Sequence, residues 1–326
     1  MAGDQETRKS ESQARCCVCH REFPETEGDF LAGRFFCAKH REDALRAADA
    51  QLSRSGLAET ALLAVFVGAV ALTLGNGPSA SLPTSLSMGL LLALVPAAIW
   101  LVFVHRQDRL EPEPWGVVLG VFALGALLGH AVVIPGSRVL FDVGQWRHAS
   151  MLGEVVASVG VDGTLAILVA YVAVRYSVYL TDEFDEPVDG IVYGVAACLG
   201  VATALNVHFV IDTGGVLPLA GATHVVNTSA GLVAAGAVLG YGLGKSRFDP
   251  RRGGLWLTLA FLLAAGIAGG VEQIAMAAGV RHGSFHPWSS LGAALAIVAV
   301  VLLSCHVLTA RMRHQTLAEG KAGANG

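Results

Sequence analysis

The sequence predicts an all-α, polytopic membrane helix bundle with about eight transmembrane helices, preceded by a small cysteine-rich module. Three observations support this prediction. The 326 residues are 53% hydrophobic and only 15% charged, with a mean hydropathy of +0.57, whereas soluble proteins carry about 25% charged residues. Apolar stretches long enough to cross a bilayer recur along the chain, and paired cysteines precede the first of them.

Eight apolar stretches set the number of predicted spans. A hydrocarbon core about 30 Å thick needs roughly 17 to 25 helical residues. Backbone amides in lipid must be paired within their own segment, so each stretch is expected to be a helix. The predicted spans are Ala58–Gly75, Leu86–Val104, Trp115–Val133, Val155–Val174, Ile191–Ile211, Val216–Gly240, Leu255–Val280 and Leu291–Leu308.

Basic residues set the predicted orientation. With the N-terminus in the cytoplasm, 19 of the 22 Lys and Arg residues fall on the cytoplasmic side, and only Arg138, Arg147 and Arg281 fall outside. This asymmetry follows the positive-inside rule and favours an even number of spans. We therefore expect a multi-pass protein of the cell (inner) membrane with both termini cytoplasmic. Its expected surroundings are the lipid bilayer, and no nucleic-acid partner is expected.

Composition divides the chain into five expected parts. Residues 1–14 and 312–326 are polar and lack apolar periodicity, which predicts disordered tails. Residues 15–42 form the cysteine-rich module, and residues 43–56 are expected to form a linker helix. The transmembrane domain is predicted to cover residues 57–311.

The cysteine-rich module has the spacing of a metal site. Cys16-x2-Cys19 is followed by Cys37-x2-His40. Two such pairs on tight turns supply the four tetrahedral ligands that zinc prefers, and four protein ligands favour a structural site. A segment of about 30 residues buries too little apolar surface to fold alone, so the metal would supply the folding energy. The sequence therefore predicts a zinc-knuckle module, similar to treble-clef or LIM half-sites.

The first ligand pair has an alternative. Cys17 and His20 have the same spacing as Cys16 and Cys19 and can replace them in the predicted site. Disulfides are not expected among these thiols, because the cytoplasm is reducing.

Polar residues inside the predicted spans are candidates for a functional cluster, because ionisable groups in lipid are costly. A carboxylate can hold or deprotonate water, while histidine and asparagine position it or stabilise an oxyanion. The alternative is hydrogen bonding between helices, beside small residues. The candidates are His130, Asp162, Asn206, His208, His224, Asn227 and Glu272.

Two acidic segments and one basic segment resemble a known family. DRLEPEP (Asp108–Pro114), FDEPVDGIVYG (Phe184–Gly194) and GYGLGKSRF (Gly240–Phe248) occur in the order and spacing of the PrsW family of intramembrane proteases. The resemblance covers roughly residues 100–280 and implies a helix-bundle fold and intramembrane peptide-bond hydrolysis. The motif residues of the acidic segments are Glu111, Glu113, Asp185, Glu186, Asp189 and Gly190.

The acidic segments also have a purely structural interpretation. Their prolines break helices and their carboxylates cap the helices that follow, as in a solvated turn. The second segment is further expected to pair with the basic loop at Lys245, Arg247, Arg251 and Arg252.

The residues that the resemblance assigns to catalysis are mostly replaced. The family carries a Glu-Glu-x-x-Lys motif in the helix before the FDEP loop, where this chain has Asp162, Gly163 and Ala166. A glutamate usually precedes the asparagine of the next helix, and Leu205 stands there. Leu232 occupies the position that matches the family's histidine.

Two further motifs are altered. His224 lies two turns farther from the GYGLG segment than the family's histidine, and the late His-x-x-x-Asn motif is replaced by GGVEQIAM around Glu272. Cooperating catalytic groups lose orders of magnitude in rate when one member is removed.

We therefore expect a catalytically impaired protease, a pseudoprotease, that binds a membrane-protein helix or an anti-sigma-like substrate in envelope-stress regulation. The zinc module would contact a cytoplasmic protein. One alternative is an active protease with an altered site, and another is a membrane transporter or sensor. No metal is expected in the membrane domain. The altered catalytic site would use Asp162, Asn206, His224 and Glu272.

Overall fold

The computed structural model describes most of the N-terminal module and the central membrane helices. The described residues are 13–31, 34–43, 61–62, 65, 86–106, 113–215, 218–248, 253–281 and 284–285, with short stretches between 289 and 308. Nearly all of both predicted tails and of the predicted linker helix lies outside these residues, although residues 13 and 14 belong to a strand.

Two antiparallel strand pairs build the N-terminal module. Strand β1 (Gln13–Arg15) pairs with β2 (Glu22–Pro24), and β3 (Gly28–Leu31) pairs with β4 (Arg34–Cys37). Residues 38–43 are helical and follow β4 directly. A minimal apolar cluster of Cys16, Phe35 and Cys37 holds the two pairs together.

Six helices are long and apolar enough to cross a membrane. They confirm the second to seventh predicted spans, with ends shifted by a few residues; the first and the last predicted spans lie mostly outside the described residues. The six spanning helices are α1 (Leu86–His105), α2 (Trp115–Leu140), α4 (Met151–Ser177), α5 (Asp189–Asp212), α6 (Pro218–Phe248) and α7 (Gly253–Gly279). A short helix, α3 (Val143–Trp146), lies between α2 and α4.

Helix α4 contains a π-helical segment at Val156–Gly163. Extra residues in such a segment widen the helix, and π turns often mark functional sites. This segment packs tightly on α7, because a Cβ on Gly163 would lie 2.4 Å from the Ala265 carbonyl oxygen. Asp162 is therefore held in the widened part of α4, beside its contact with α7.

The backbones of α5 and α6 touch along the centre of the bundle, and these two helices are the most buried of the six spans. A Cβ on Gly240 would lie 1.9 Å from the Gly190 carbonyl oxygen, and one on Gly194 would lie 2.5 Å from the Gly236 carbonyl oxygen. Only glycine permits this approach, as is common where membrane helices cross closely. The crossing fixes the register of α5 on α6.

Substituting a crossing glycine should therefore destabilise the bundle. We expect Gly240→Ala to lower the free energy of unfolding by about 1–3 kcal/mol, because the added methyl group overpacks the contact. The measurement is denaturant unfolding of the purified protein in detergent. Gly266→Ala on α7 is the matched control, since a Cβ there meets nothing within 4 Å. Equal effects of the two substitutions would contradict the proposed register.

Candidate functional site

The N-terminal module brings four predicted metal ligands together. Cys16, Cys19, Cys37 and His40 place their ligand atoms within 4.8 Å of one another. The Nδ1 atom of His40 lies 3.2 Å from the Cys37 sulfur and 3.7 Å from the Cys16 sulfur, so it faces the thiols. Three thiols and one imidazole nitrogen at these distances can bind a tetrahedral metal ion.

Backbone hydrogen bonds favour the thiolate form of one cysteine in this cluster. Burial opposes ionisation of Cys16, but hydrogen bonds from the backbone of Cys19, Cys37 and Val18 outweigh it and lower its pKa to about 5. The pKa of Cys19 is shifted the other way: a hydrogen bond from the backbone of Arg21 lowers it, but burial and the neighbouring sulfurs raise it above its ordinary value. The thiolate is the form that binds metal.

The structure distinguishes the two possible first pairs. Cys16 and Cys19 belong to the cluster, whereas Cys17 and His20 do not. His20 is exposed and adopts a left-handed backbone conformation with φ of 58°, at the turn that joins β1 to β2.

In the membrane domain, Asp162 has a cationic partner that was not predicted. Arg147 forms an ion pair with its Oδ2 atom, and the Ser137 hydroxyl donates a hydrogen bond of 2.6 Å to Oδ1. The Asp162 and Arg147 side chains are 31% and 24% exposed. The sequence signal was that Arg147 is one of only three basic residues on the predicted outer side of the membrane.

Four positions that the family resemblance assigns to catalysis line one small pocket. This pocket has a volume of about 40 Å³. Asp162, Ala166, Leu205 and Leu232 all line it, although they come from three different helices. Its wall thus combines one carboxylate with three side chains that cannot exchange a proton. The remaining lining residues are Ser158, Gly163, Asn227, Thr228, Ala268 and Gly269.

A larger crevice of about 410 Å³ shares part of this lining. Asp162, Leu205 and Thr228 line both spaces, so the small pocket adjoins the crevice. The mouth of the crevice carries a second ion pair, between Arg138 and Asp212. Polar and apolar side chains are mixed in both spaces, and Ser158, Asn227 and Thr228 are polar residues of the small pocket.

The four predicted catalytic residues do not form one cluster. Asp162 and His224 both line the crevice, where the His224 ring lies 4.2 Å from the ring of Phe209. Asn206 is fully buried, and its Nδ2 atom donates to the Ser229 hydroxyl at 3.2 Å, linking α5 to α6. Glu272 belongs to α7, and its side chain lies outside the described residues.

Two residues of the acidic segments are buried rather than solvated as expected. Glu113 and Asp189 are 7% and 2% exposed. The Tyr193 hydroxyl donates a hydrogen bond to Glu113, and the backbone N–H of Glu186 donates to Asp189 at 2.6 Å. Burial raises the pKa of Glu113, partly offset by hydrogen bonds with Tyr193 and Asp189. These carboxyl groups join the start of α2 to the start of α5.

The other motif residues have simpler positions. Asp185 is exposed, Glu186 is half-buried, and Gly190 lies at the α5–α6 crossing. Glu111 lies outside the described residues. The expected pairing of the acidic loop with Arg247 takes a different form, because Arg247 donates to the Thr181 carbonyl oxygen at 3.2 Å.

Comparison with known proteins finds one matching family, described as PrsW family intramembrane metalloprotease, over residues 113–304. Protease PrsW of Geobacillus kaustophilus is 29% identical over 175 residues, which are 52% of this chain and 72% of the relative. Protease PrsW of Bacillus subtilis is 29% identical over 182 residues, 56% of this chain and 79% of the relative. No solved structure was found to match.

The ion pair at Asp162 predicts energetic coupling with Arg147. We expect Asp162→Asn and Arg147→Gln each to lower the free energy of unfolding by about 1–2 kcal/mol, between the values for exposed and buried pairs. The double variant should lose clearly less than the sum of the two, as measured by unfolding in detergent. Strict additivity of the two losses would show that the residues do not interact.

Proposed function

Because the chain belongs to the PrsW family of intramembrane proteases, we propose that it is a catalytically impaired member that binds a membrane-protein segment without cutting it. One observation carries this proposal. Four positions that the family resemblance assigns to catalysis line the 40 Å³ pocket, and Ala166, Leu205 and Leu232 occupy three of them. This supports a site with the helix arrangement of the family and few of its ionisable groups.

The remaining carboxylate is poorly suited to act alone. Paired glutamates can divide acid and base roles, because one raises the pKa of the other. Asp162 is instead bound by Arg147 and Ser137. Both of its carboxylate oxygens are engaged by these two partners, which leaves it poorly placed to hold and orient a water molecule. We infer that Asp162 stabilises the crevice and does not activate water.

The crevice retains features that suit a bound polypeptide. Buried polar atoms without a hydrogen-bond partner carry a free-energy cost, so they favour a ligand that satisfies them. The Oδ1 atom of Asn227 and the hydroxyl of Thr228 are such atoms, and both residues line the pocket. Thr228 also lines the larger crevice, so a backbone N–H group of an extended peptide bound there would donate to its hydroxyl. An uncut anti-sigma-like protein in envelope-stress control is the partner we propose.

A second candidate function is an active protease with an altered site. The observation that favours it is that Asp162 and His224 line the same crevice. Against it, Asn206 bonds to Ser229 on α6 and does not line the crevice.

The family's description as metalloproteases raises the question of a membrane metal. Among the residues that line the 40 Å³ pocket, Asp162 is the only one with a carboxylate, imidazole or thiol. One such ligand does not fit a catalytic metal, which needs about three protein ligands. The adjoining crevice adds His208, Asp212 and His224, but among the described residues of the membrane domain no three such groups place their ligand atoms close enough together to hold an ion. We therefore assign no step to a metal in that part of the domain.

The N-terminal cluster does fit a metal, and we propose that it holds structural zinc. Cys16, Cys19, Cys37 and His40 provide four soft or borderline ligands and leave no open position for a reacting group. The cluster forms much of the module's interior, since Cys16 and Cys37 are buried with Phe35. The metal would thus stabilise a module that presents a surface to a cytoplasmic protein.

We also propose that the protein lies in the inner membrane with both termini in the cytoplasm. The support is the distribution of basic residues, with 19 of 22 on one side of the predicted spans.

Photo-crosslinking in cells tests binding without cleavage. A photoreactive amino acid placed at Thr228, in the crevice, should capture a full-length membrane protein. The same amino acid at Leu262, which is 64% exposed on α7, is the control and should not capture that protein. Adducts that contain only a truncated partner, and that become full-length in the Asp162→Ala background, would contradict the proposal and support the second candidate.

Metal analysis tests the zinc proposal. We expect one zinc per chain in the purified full-length protein, lost in Cys37→Ser because three ligands hold zinc far more weakly than four. Cys17→Ser is the matched control and should keep the metal, since Cys17 lies outside the cluster. Loss of zinc in Cys17→Ser with retention in Cys16→Ser would show that the alternative pair is correct.

A further inference from the structure

Two arginines face the same aromatic ring at the end of the bundle where α4 and α6 both end. The guanidinium carbon of Arg175 lies 4.5 Å from the centre of the Tyr179 ring, and that of Arg247 lies 5.6 Å from it. The two guanidinium carbons are therefore separated by at most the sum of these two distances. One anion that reaches both guanidinium groups would neutralise both charges and form charge-assisted hydrogen bonds.

Most hydrogen-bond donors of these two arginines have no acceptor among the described residues. A guanidinium group has five N–H donors. Arg247 uses Nη2 to bond the Thr181 carbonyl oxygen. The Nη1 atom of Arg175 is buried and has no hydrogen-bond partner. Within the described part of the chain, no carboxylate oxygen lies within 4 Å of either guanidinium group.

Aromatic rings fix the position of both side chains. Arg247 also lies over the ring of Phe184, at 5.3 Å, and Phe184 is fully buried. Tyr179 packs edge-on against Phe184, with ring centres 5.2 Å apart. Cation–π contacts of this kind hold a guanidinium in place while its N–H groups remain free to bind an anion in the plane of the group.

Exposed apolar side chains lie beside this arrangement. Tyr176 is in the last turn of α4 and Leu180 follows its end, next to Arg175 and Tyr179 in the chain, and the two are 80% and 74% exposed. Exposed tyrosine and leucine at the end of a membrane helix are typical of the interface between headgroups and acyl chains. An anion at the two arginines would therefore have acyl chains beside it.

From these contacts we propose that Arg175 and Arg247 form a binding site for the phosphate of an anionic phospholipid. The phosphate oxygens accept from the free N–H donors of both arginines, and the acyl chains lie along Tyr176 and Leu180. The site is independent of the crevice and of the proposed loss of proteolysis.

Native mass spectrometry of the full-length protein tests this site. Phosphatidylglycerol, phosphatidylcholine and inorganic phosphate are titrated separately against the detergent-purified protein. We expect tightest binding of phosphatidylglycerol, weakened about fivefold by Arg175→Gln and again by Arg247→Gln, since each basic residue contributes about 1 kcal/mol to binding anionic lipid. Lys245→Gln, on the same turn of α6 as Arg247, is the control and should change binding less than twofold.

Three results would overturn the proposal. These are equal binding of phosphatidylglycerol and phosphatidylcholine, equal binding of inorganic phosphate, and a Lys245→Gln effect as large as that of Arg175→Gln. If Arg247→Gln fails to fold because it supports the acidic loop, Arg175→Gln decides the question, since the guanidinium of Arg175 makes no hydrogen bond within the described protein.

Discussion

The contact between the backbones of α5 and α6 is the constraint on which the membrane domain depends. Gly190 and Gly194 on α5 meet Gly236 and Gly240 on α6 without intervening side chains. Helices this close cannot slide or rotate against each other, because their backbones already touch. The register that results places Leu205 of α5 and Leu232 of α6 at the same pocket.

This constraint suits a site whose side chains differ from those of an active protease, as we propose. Glycine contacts, including that between Gly163 and α7, position the helices that line the pocket. Ala166, Leu205 and Leu232 line the pocket where the family resemblance places ionisable groups. These three side chains avoid the cost of desolvating charges in the membrane. In the proposed function, the crevice binds a polypeptide segment without cutting it.

The charges that persist have a structural role at the crevice mouth. Arg147 pairs with Asp162, and Arg138 pairs with Asp212. Pairing lowers the cost of ionised groups near the membrane, although such pairs add little net stability when partly exposed. The buried Glu113 and Asp189 have a structural role at the opposite end of the bundle, where their hydrogen bonds connect α2 to α5. In each case the carboxylate is engaged by the protein.

The sequence predicted the features that depend on local pattern. Long apolar runs predicted the six spanning helices α1, α2 and α4 to α7, and the paired spacing predicted the cluster of Cys16, Cys19, Cys37 and His40. The short helix α3 was not predicted. Spacing alone could not choose between Cys16 and Cys17, because the choice depends on how the turn between β1 and β2 folds.

Contacts between distant residues were not predictable. Tyr193 bonds Glu113 across 80 positions, and Gln273 bonds Ser158 across 115. Such contacts depend on helix packing, which no single helix encodes. Nothing within a helical turn of Asp162 is basic, so the local sequence does not indicate an ion pair there. Its partner Arg147 reaches it from the segment before α4.

Hydrolysis of a bilayer-embedded peptide is the most direct test of the central claim. The chain and Protease PrsW of Bacillus subtilis would be reconstituted in matched proteoliposomes with a fluorogenic transmembrane peptide that the relative cleaves. The loss of proton-exchanging groups from the 40 Å³ pocket predicts turnover by the relative and none above the protein-free background by this chain. Turnover by this chain that disappears in Asp162→Ala would contradict the account.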